Sequence, residues 1–407
     1  MTPSKVQLKE PVARSLEYWA SVRASDFALY EAETALTYGE WNDYADLLAD
    51  ALAGRGLGLD DVIAVRCRNR IEWAVIALAC AKLDAHLLTL DPDLPSAKLR
   101  ERLIGAQVSA IIVGDSDPAA IAAALDGLPL RLRAAMDDAS PGFFNFWDLF
   151  PPVAQPRFGR AQPTLISWTR GETGEAQPVS IPRRLSAPAS ISPPPTPERG
   201  CSMITVPVHR AWGPVQFWNA LGAGRAIAFL RRFDPVEAIS LIERRRVTHW
   251  SGLPDSFREI AALPDRVVHA ADTSRLQDLT VGGGAVPWPL KQRIIDLFGP
   301  ILSEAYGATE TGVITMLPPD RQSEKPGSCG RPIRGVVVEI RDAAGRRLPP
   351  NATGEIWART PRSLACGLSG PSARRDEDGF VATADVGRLD DEGFLYIIGR
   401  SSPDHHA

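Results

Sequence analysis

Four short stretches of this 407-residue sequence combine glycines with hydroxyl, carboxylate or aromatic side chains in patterns that suit a nucleotide. The first is Thr169-Arg-Gly-Glu-Thr-Gly174, directly after an apolar run that predicts a strand. Glycines such as Gly171 and Gly174 let backbone N–H groups approach a phosphate, and the hydroxyls of Thr169 and Thr173 suit its oxygens. No Lys-Ser or Lys-Thr follows, so this is not a Walker loop, and such a short match more often marks a plain glycine turn.

A second glycine-rich stretch, Gly282-Gly-Gly-Ala-Val-Pro287, follows the apolar residues Leu279 to Val281. Consecutive glycines let a flat ligand lie close to the backbone. A tight turn explains the same residues equally well, so this stretch alone leaves both interpretations open.

The third stretch, Glu304-Ala-Tyr-Gly-Ala-Thr-Glu-Thr-Gly312, ends a predicted strand and turns through its glycines. Tyr306 offers a ring that stacks on a base, and Thr309 offers a hydroxyl to a phosphate. Glu310 offers a carboxylate to Mg²⁺, which prefers oxygen ligands and usually shares them with substrate phosphates. Taken alone, these residues more often form a strand followed by a solvated acidic turn.

The fourth stretch, Thr383-Ala-Asp-Val-Gly-Arg388, is followed by Tyr396-Ile-Ile-Gly-Arg400. The carboxylate of Asp385 has the two oxygens needed to accept hydrogen bonds from both hydroxyls of a ribose. Arg400 offers a cation to the ribose or to a phosphate. By itself, an aspartate in this setting is more often a turn residue.

The elements that must position these residues follow from the hydrophobic pattern. Leu36 to Leu52 is predicted as a helix, because apolar residues recur at helical spacing and Thr37 with Glu40 matches a capping box. In both halves of the chain short apolar runs alternate with helical segments, which is typical of a mostly parallel sheet covered by helices. From Gly327 onward, short strands lie between glycine, proline and aspartate turns, which predicts a small β-structure.

These patterns divide the chain into four segments. We expect a first α/β subdomain with the glycine-rich phosphate loop at residues 1–181 and a proline-rich linker at 182–199. A second α/β subdomain with the next two glycine-containing stretches is expected at 200–322, and the small β subdomain at 323–407. The linker prediction rests on the density of prolines, which no helix tolerates.

The composition narrows the class of protein. A net charge of −4 gives no reason to expect a nucleic-acid partner or an anionic membrane surface. The most apolar run, Ile71 to Leu90, is interrupted by charged residues and predicts a buried helix and strand, not a membrane span. The five cysteines lack metal-ligand spacing, which predicts reduced thiols in a cytoplasmic protein.

In this order, the four stretches resemble the adenylate-forming superfamily of acyl- and aryl-CoA ligases, luciferases and peptide-synthetase adenylation domains. The resemblance extends from about Leu36 to Arg400, is closest to the acyl-CoA synthetase branch, and includes the stretches Val247 to Pro254 and Lys325 to Pro332. It implies an α/β fold with two stacked βαβ-type sheet subdomains and a small C-terminal β-barrel-like subdomain. The resemblance thus implies the family's large N-terminal domain without the C-terminal lid domain.

The resemblance also implies a role for each candidate residue, with ATP or AMP as the nucleotide and Mg²⁺ bound by Glu310. The remaining nucleotide contacts would come from Thr169, Gly171, Thr173 and Gly174 (β- and γ-phosphates), Gly283, Gly284 and Ala285 (adenine and part of the acyl pocket), Tyr306 (adenine), Thr309 (α-phosphate), and Asp385 with Arg400 (ribose). His209 falls beside the family's carboxylate pocket and would join Thr309 and Glu310 as a catalytic residue. A lone histidine in a loop is as often structural.

The sequence departs from the family in the phosphate loop and after the last stretch. Gln177 stands where the family has a lysine, and Glu172 and Glu175 add negative charge that weakens phosphate binding. The family's mobile lid follows the position of Arg400 and carries a further lysine, and the sequence ends at Ala407. Adenylation by this chain alone is therefore expected to be slower by roughly a hundredfold or more, by analogy with the loss of one oxyanion-hole donor.

Three functions remain open at this point. The first is an ATP- and Mg²⁺-dependent ligase that activates a small carboxylic acid as an acyl-adenylate, with coenzyme A as a candidate acceptor and a separate lid domain or carrier protein as a partner. The second is a degenerate protein that binds AMP or an acyl-adenylate without turnover, and the third is a core-only relative that catalyses a different acyl conversion. Trp212, Phe217 and Trp218 lie near the expected acyl pocket and hint at an apolar or aromatic acid, although ordinary helix packing explains them more readily.

Overall fold

A computed structural model of the chain describes residues 12–137, 140–150, 164–168, 178–182, 200–361, 363 and 374–400. The predicted phosphate loop at residues 169–174, together with Gln177 and nearly all of the proline-rich linker, lies outside these residues. The described chain forms two compact units. The first contains the chain up to Leu165 and Pro214–Arg231, and the second contains Gly200–Gly213 and the chain from Arg232 onward.

Helices and strands alternate along most of the described chain. The helices are α1 Val12–Val22, α2 Tyr38–Ala53, α3 Ile71–Lys82, α4 Ser96–Gly105, α5 Pro118–Leu125, α6 Trp212–Ala223, α7 Pro235–Arg244, α8 Pro254–Ala261, α9 Asp265–Val268 and α10 Trp288–Phe298. The strands in the first 230 residues are β1 Phe27–Glu31, β2 Thr34–Thr37, β3 Val62–Arg66, β4 His86–Leu90, β5 Val108–Val113, β6 Leu132–Ala135, β7 Phe144–Asn145, β8 Thr164–Trp168, β9 Pro178–Pro182, β10 Cys201–Ile204 and β11 Ala226–Phe229. The later strands are β12 His249–Gly252, β13 Asp278–Gly282, β14 Leu302–Ala308, β15 Gly312–Leu317, β16 Arg331–Pro332, β17 Val337–Arg341, β18 Gly354–Arg359, β19 Val381–Leu389 and β20 Leu395–Arg400.

The first unit contains a parallel sheet in which β7, β6, β5, β3 and β4 lie side by side in that order. The predicted capping box of α2 is confirmed: the Thr37 hydroxyl accepts a hydrogen bond from the Glu40 N–H at 3.2 Å, and the Glu40 carboxylate accepts one from the Thr37 N–H at 2.8 Å. The helix begins at Tyr38, because Leu36 belongs to strand β2. Helix α3 is buried on nearly every side, as the apolar run at its position predicted. Among the described residues, no helix is both long enough and apolar enough to cross a membrane.

Aromatic side chains fill the core of the first unit. The ring centroids of Trp73 and Phe217 lie 4.9 Å apart, and Trp41 lies on the other side of Phe217 at 5.7 Å. Phe217 and Trp218 are buried completely or almost so. The structure therefore supports ordinary helix packing for these two residues, the interpretation that the sequence favoured.

The second unit combines a mixed sheet with a smaller antiparallel one. Strands β10, β12, β13 and β14 are parallel neighbours, and β15 and β16 continue the sheet in antiparallel pairing. Strands β17 to β20 form a separate antiparallel sheet in chain order. The predicted α/β fold with a small β-structure toward the end of the chain is confirmed.

Several elements were missed by the sequence analysis. They include the hairpin of β1 and β2, which pairs with β11 through β1, and helices α5 and α8. Helix α5 begins with a recognisable signal, because Asp117 caps it by accepting a hydrogen bond from the Ala119 N–H at 2.9 Å and Pro118 follows. The described cysteines are buried free thiols, in agreement with the prediction for them.

Candidate functional site

The candidate residues of the second unit gather at one edge of its larger sheet. The parallel register aligns Ile204 with Ser251, Gly252 with Val281, and Gly282 with Ala305, so these strands reach their carboxyl ends side by side. In open α/β sheets, ligands bind outside the carboxyl ends of the strands. Tyr306 follows Ala305, and Gly283 follows the end of β13.

The glycine segment after β13 has a backbone that only glycine suits. A Cβ atom on Gly282 would lie 2.3 Å from the ring atom Cζ3 of Trp212 and 2.6 Å from the carbonyl oxygen of Ala305. Gly283 has a φ of +80°, in the left-handed region that favours glycine. Gly284 and Ala285 follow on the exposed turn. Trp212 therefore covers the end of β13, in contrast to the core positions of Phe217 and Trp218.

Tyr306, Asp385 and Arg400 are brought together by direct contacts. The Tyr306 hydroxyl donates a hydrogen bond of 2.7 Å to Oδ2 of Asp385, and Nε of Arg400 lies 3.3 Å from Oδ1 of the same carboxylate. These residues are distant in sequence and lie on β14, β19 and β20. Burial, followed by the nearby charge of Asp385, raises the pKa of the Tyr306 phenol well above its usual range, so the hydroxyl stays a donor.

A bulge in β19 aims the Asp385 side chain. Glu355 pairs with Val386 and Trp357 with Ala382, so three residues of β19 oppose Ile356 alone. Within the bulge Ala384 has a φ of 54°, a left-handed conformation that costs a non-glycine residue about 1–2 kcal/mol. Bulges of this kind often re-aim a side chain next to a functional site.

Side-chain hydrogen bonds hold this bulge in place. The Thr383 hydroxyl donates to the carbonyl oxygen of Ile356 at 3.0 Å and accepts from the Asp385 N–H at 3.2 Å. Thr383 is itself buried. The backbone on both sides of Asp385 is therefore fixed by β18, and the carboxylate does not depend on Tyr306 or Arg400 alone for its position.

Thr309 and Glu310 lie in the tight turn between β14 and β15, and both are half-buried. A Cβ atom on Gly307 would lie 2.0 Å from the carbonyl oxygen of Gly312, so the hairpin closes only with glycine at this position. Buried Thr311 secures the turn, because its carbonyl oxygen accepts a 2.8 Å hydrogen bond from the Thr360 hydroxyl.

The donor set at this edge fits a nucleotide and a shared Mg²⁺ ion. A carboxylate accepts roughly four hydrogen bonds, so Asp385 retains room for ribose hydroxyls beside Tyr306 and Arg400. Among the residues that the structure describes, no group of three or more His, Cys, Asp or Glu side chains is placed to hold a metal ion. A single carboxylate, such as that of Glu310, is a ligand type that Mg²⁺ usually combines with substrate phosphates.

His209 lies half-buried in the turn that follows β10. The candidate residues thus divide into three groups. Tyr306, Asp385 and Arg400 are in contact, and Gly283, Gly284, Ala285, Thr309, Glu310 and His209 lie on turns after neighbouring strands. The remaining four, Thr169, Gly171, Thr173 and Gly174, lie outside the described residues.

The sequence analysis missed two buried charged residues beneath this edge. Lys291 on α10 is completely buried and forms an ion pair with Glu304 on β14. The signal in the sequence was a lysine between Leu290 and Ile294 on the apolar face of a predicted helix. A charge at such a position requires a buried partner.

Comparison with known proteins identifies the class. The sequence profile of the AMP-binding enzyme family matches residues 16–367. Indoleacetate–CoA ligase of Aromatoleum aromaticum is 28% identical over 394 residues, which cover 94% of this chain and 76% of that protein.

Solved structures share the fold. The amide bond synthetase McbA of Marinactinospora thermotolerans superposes with a TM-score of 0.83 at 24% identity, covering 96% of this chain and 79% of that one. The anthranilate CoA ligase AuaEII, in complex with anthranoyl-AMP, gives a TM-score of 0.85 at 19% identity, covering 98% and 80%. The fold is that of the α/β domain of adenylate-forming enzymes. The chain belongs to the AMP-binding enzyme family.

Proposed function

We propose that this protein activates a small carboxylic acid as an acyl-adenylate at the expense of ATP, in the manner of an acyl-CoA ligase. The observation that carries the proposal is the contact of Tyr306, Asp385 and Arg400 at the carboxyl edge of the second unit's sheet. Family membership supports it, because the similar proteins are carboxylic acid–CoA ligases and an amide bond synthetase.

The proposed roles follow the chemistry of the side chains. Asp385 binds the ribose hydroxyls, Tyr306 packs against adenine, and Thr309 donates to the α-phosphate. A carboxylate oxygen of the acid attacks the α-phosphorus, and the bond from this phosphorus to the pyrophosphate oxygen breaks. Mg²⁺, held by Glu310 with the phosphates, would neutralise part of the negative charge that accumulates there.

Two further parts of the proposal concern the residues around the phosphates. The glycines and threonines of residues 169–174 would bind the β- and γ-phosphates, and His209 would lie beside the acid. A mobile lid domain, on this polypeptide or another, would supply a further lysine, distinct from the loop lysine that Gln177 replaces. Coenzyme A would then take the acyl group through its thiol, with release of AMP.

For the acid we propose an aromatic carboxylate. Indoleacetate and anthranilate, named for two similar proteins, both carry an aromatic ring. In this chain the Trp212 ring packs against Gly282, the last residue of β13, and so lies next to the turn that begins at Gly283. Aromatic rings pack favourably against one another in offset or edge-to-face arrangements.

Isothermal titration with AMP and with ATP·Mg²⁺ tests the nucleotide site, using Asp385→Asn as the variant. Asp390→Asn is the matched control, because it makes the same change at the opposite end of the β19–β20 pair, where Asp390 binds Lys325. Asp385→Asn should weaken AMP binding about tenfold or more, which corresponds to the loss of about 1.4 kcal/mol. Equal affinities of the two variants would refute the ribose assignment.

Pyrophosphate release with a panel of aromatic and aliphatic acids tests turnover. Release that depends on an aromatic acid, alone or after addition of a relative's lid domain, would support the ligase. The second candidate function is AMP binding without turnover, favoured by Gln177, Glu172 and Glu175 in the phosphate loop. AMP binding with no acid-dependent pyrophosphate release under either condition would select it. A chain that binds neither nucleotide would point to a different acyl conversion.

A further inference from the structure

We propose that Lys291 and Glu304 are a positioning pair that sets the separation of Tyr306 and Asp385, an inference that rests on the proposed nucleotide site. The two side chains form an ion pair, and the exposed fraction is 0% for Lys291 and 9% for Glu304. Glu304 and Tyr306 are two residues apart on β14, so their side chains leave the strand on the same face.

Lys291 makes a second contact that links β14 to another part of the unit. Its Nζ donates a 3.1 Å hydrogen bond to the carbonyl oxygen of Ser328. Ser328 is completely buried, and its hydroxyl donates to the carbonyl oxygen of Leu395 at 2.9 Å. One buried cation therefore joins the strand that carries Tyr306 to the segment that contacts the start of β20.

The segment Ser328–Gly330, which we call the strap, is bonded tightly to β20. The Cys329 N–H donates to the Leu395 carbonyl at 2.9 Å, and the Leu395 N–H donates to the Gly330 carbonyl at 2.8 Å. Strand β20 ends at Arg400, whose register partner on β19 is Asp385. The position of the strap is thus transmitted through β20 to the carboxylate.

The strap also contacts β15 beside Tyr306. The Thr315 hydroxyl donates a 2.7 Å hydrogen bond to the Cys329 carbonyl, and Thr315 is the register partner of Tyr306. Tyr306, Cys329 and Leu395 share one hydrophobic cluster. The ion pair, the strap and this cluster therefore link the strand that carries Tyr306 to the β19–β20 pair that carries Asp385.

The electrostatics indicate a role other than net stability. Burial raises the pKa of the Glu304 carboxyl, and the charge of Lys291 opposes that rise. A buried ion pair commonly contributes no more to stability than two apolar side chains of the same volume would. Unlike two apolar side chains, the pair makes directed polar contacts: the ammonium group holds the Glu304 carboxylate and the Ser328 carbonyl together.

The test replaces the pair with apolar residues of similar size in the full chain, as Lys291→Met with Glu304→Leu. The matched control is Lys82→Met with Asp46→Leu, which removes another buried ion pair in the first unit, where Lys82 is 0% and Asp46 is 6% exposed. The first double variant should weaken AMP binding about tenfold, and the control should leave it unchanged. Unchanged affinity in both, with urea midpoints near that of the wild type, would overturn the proposal.

A second readout does not depend on nucleotide binding. The ultraviolet titration of the Tyr306 phenol is obtained by subtracting the spectrum of Tyr306→Phe. If the pair holds Tyr306 in place, its phenol should become more accessible in the double variant and titrate at lower pH than in the wild type. If the wild type binds no AMP, the proposed function fails, and this titration still decides whether the pair positions Tyr306.

Glu304→Gln serves if the double variant does not fold. It keeps the size of the side chain and one carbonyl oxygen for Lys291 but removes the negative charge. AMP binding weakened by roughly threefold, about 0.7 kcal/mol, is expected from the loss of the ionic part of the contact. An affinity and a Tyr306 titration equal to those of the wild type would refute the positioning role.

Discussion

Removal of a single hydroxyl by Tyr306→Phe tests the centre of the candidate site. The ring stays in the hydrophobic cluster that includes Cys329 and Leu395, and the 2.7 Å hydrogen bond to Asp385 is lost together with the hydroxyl's contact with Thr383. Hydrogen bonds to charged groups contribute about 1.5–3 kcal/mol to stability. The Asp385 side chain is 17% exposed and regains some contact with water, so we expect the lower limit, about 1.5 kcal/mol.

The same loss should appear in nucleotide binding. If the hydroxyl holds the carboxylate where the ribose binds, AMP affinity should fall about tenfold, the equivalent of about 1.4 kcal/mol. Titration calorimetry measures the affinity, and urea unfolding measures the stability. Tyr396→Phe is the matched control, because Tyr396 lies on the neighbouring strand β20 of the same sheet as Asp385 and its ring contacts Arg388.

An alkaline titration adds a signature specific to Tyr306. Burial and then the charge of Asp385 raise the pKa of its phenol in the folded state, whereas the unfolded value is near 10. The folded state therefore retains a proton that the unfolded state loses. Above about pH 10 this group should lower the free energy of unfolding by about 1.4 kcal/mol per pH unit. Tyr306→Phe should lack that contribution, and identical alkaline profiles, with equal AMP affinities, would refute the reasoning.

Two further substitutions test the surrounding structure. Ala384→Gly should raise the free energy of unfolding, measured by urea unfolding, by about 0.5 kcal/mol, because relief of the left-handed strain exceeds the entropy that glycine adds to the unfolded chain; a clear loss of stability would contradict the strain. Arg70→Met should lower the free energy of unfolding by about 3 kcal/mol, the lower limit for a buried ion pair, because partly buried Glu72 and exposed Asp137 lose their shared cation. Burial raises the pKa of the Asp137 carboxyl, but the hydrogen bond from the Asp115 N–H and the charge of Arg70 outweigh it, so the pKa is lowered overall. The stabilisation is therefore present above about pH 4 and is lost in acid. The difference from wild type in urea unfolding should therefore shrink from pH 7 to pH 3, and a constant difference would contradict the assignment.

The sequence was sufficient for the elements whose signals are local. The capping box of Thr37 and Glu40, the apolar run of α3 and the turns around β17 to β20 all lie within a few residues of the structure that they form. Missed elements had weaker signals. The hairpin of β1 and β2 depends on pairing with β11, almost two hundred residues later in the chain, and no local pattern contains that information.

The sequence named the residues of the candidate site but not the contacts between them. Spacing and residue type singled out Tyr306, Asp385 and Arg400, yet the hydrogen bond between the first two connects strands of different sheets. The left-handed φ of Ala384 and the burial of Lys291 were also beyond a sequence argument, since tertiary packing imposes both. Local patterns therefore identify which groups take part, and long-range packing determines which atoms meet.

The departures from local rules are concentrated around Asp385. Next to it, a non-glycine residue adopts a left-handed backbone within a bulge, and a buried lysine and glutamate lie under the strand that carries its hydroxyl partner. Each feature lacks an evident gain in stability, and proteins usually retain such features where function requires them. A core optimised for stability alone would place glycine at Ala384 and apolar side chains at Lys291 and Glu304. Both exceptions act on the Asp385 carboxylate. This is the strongest structural reason to regard the position of that carboxylate, and not only its presence, as the property that the fold maintains.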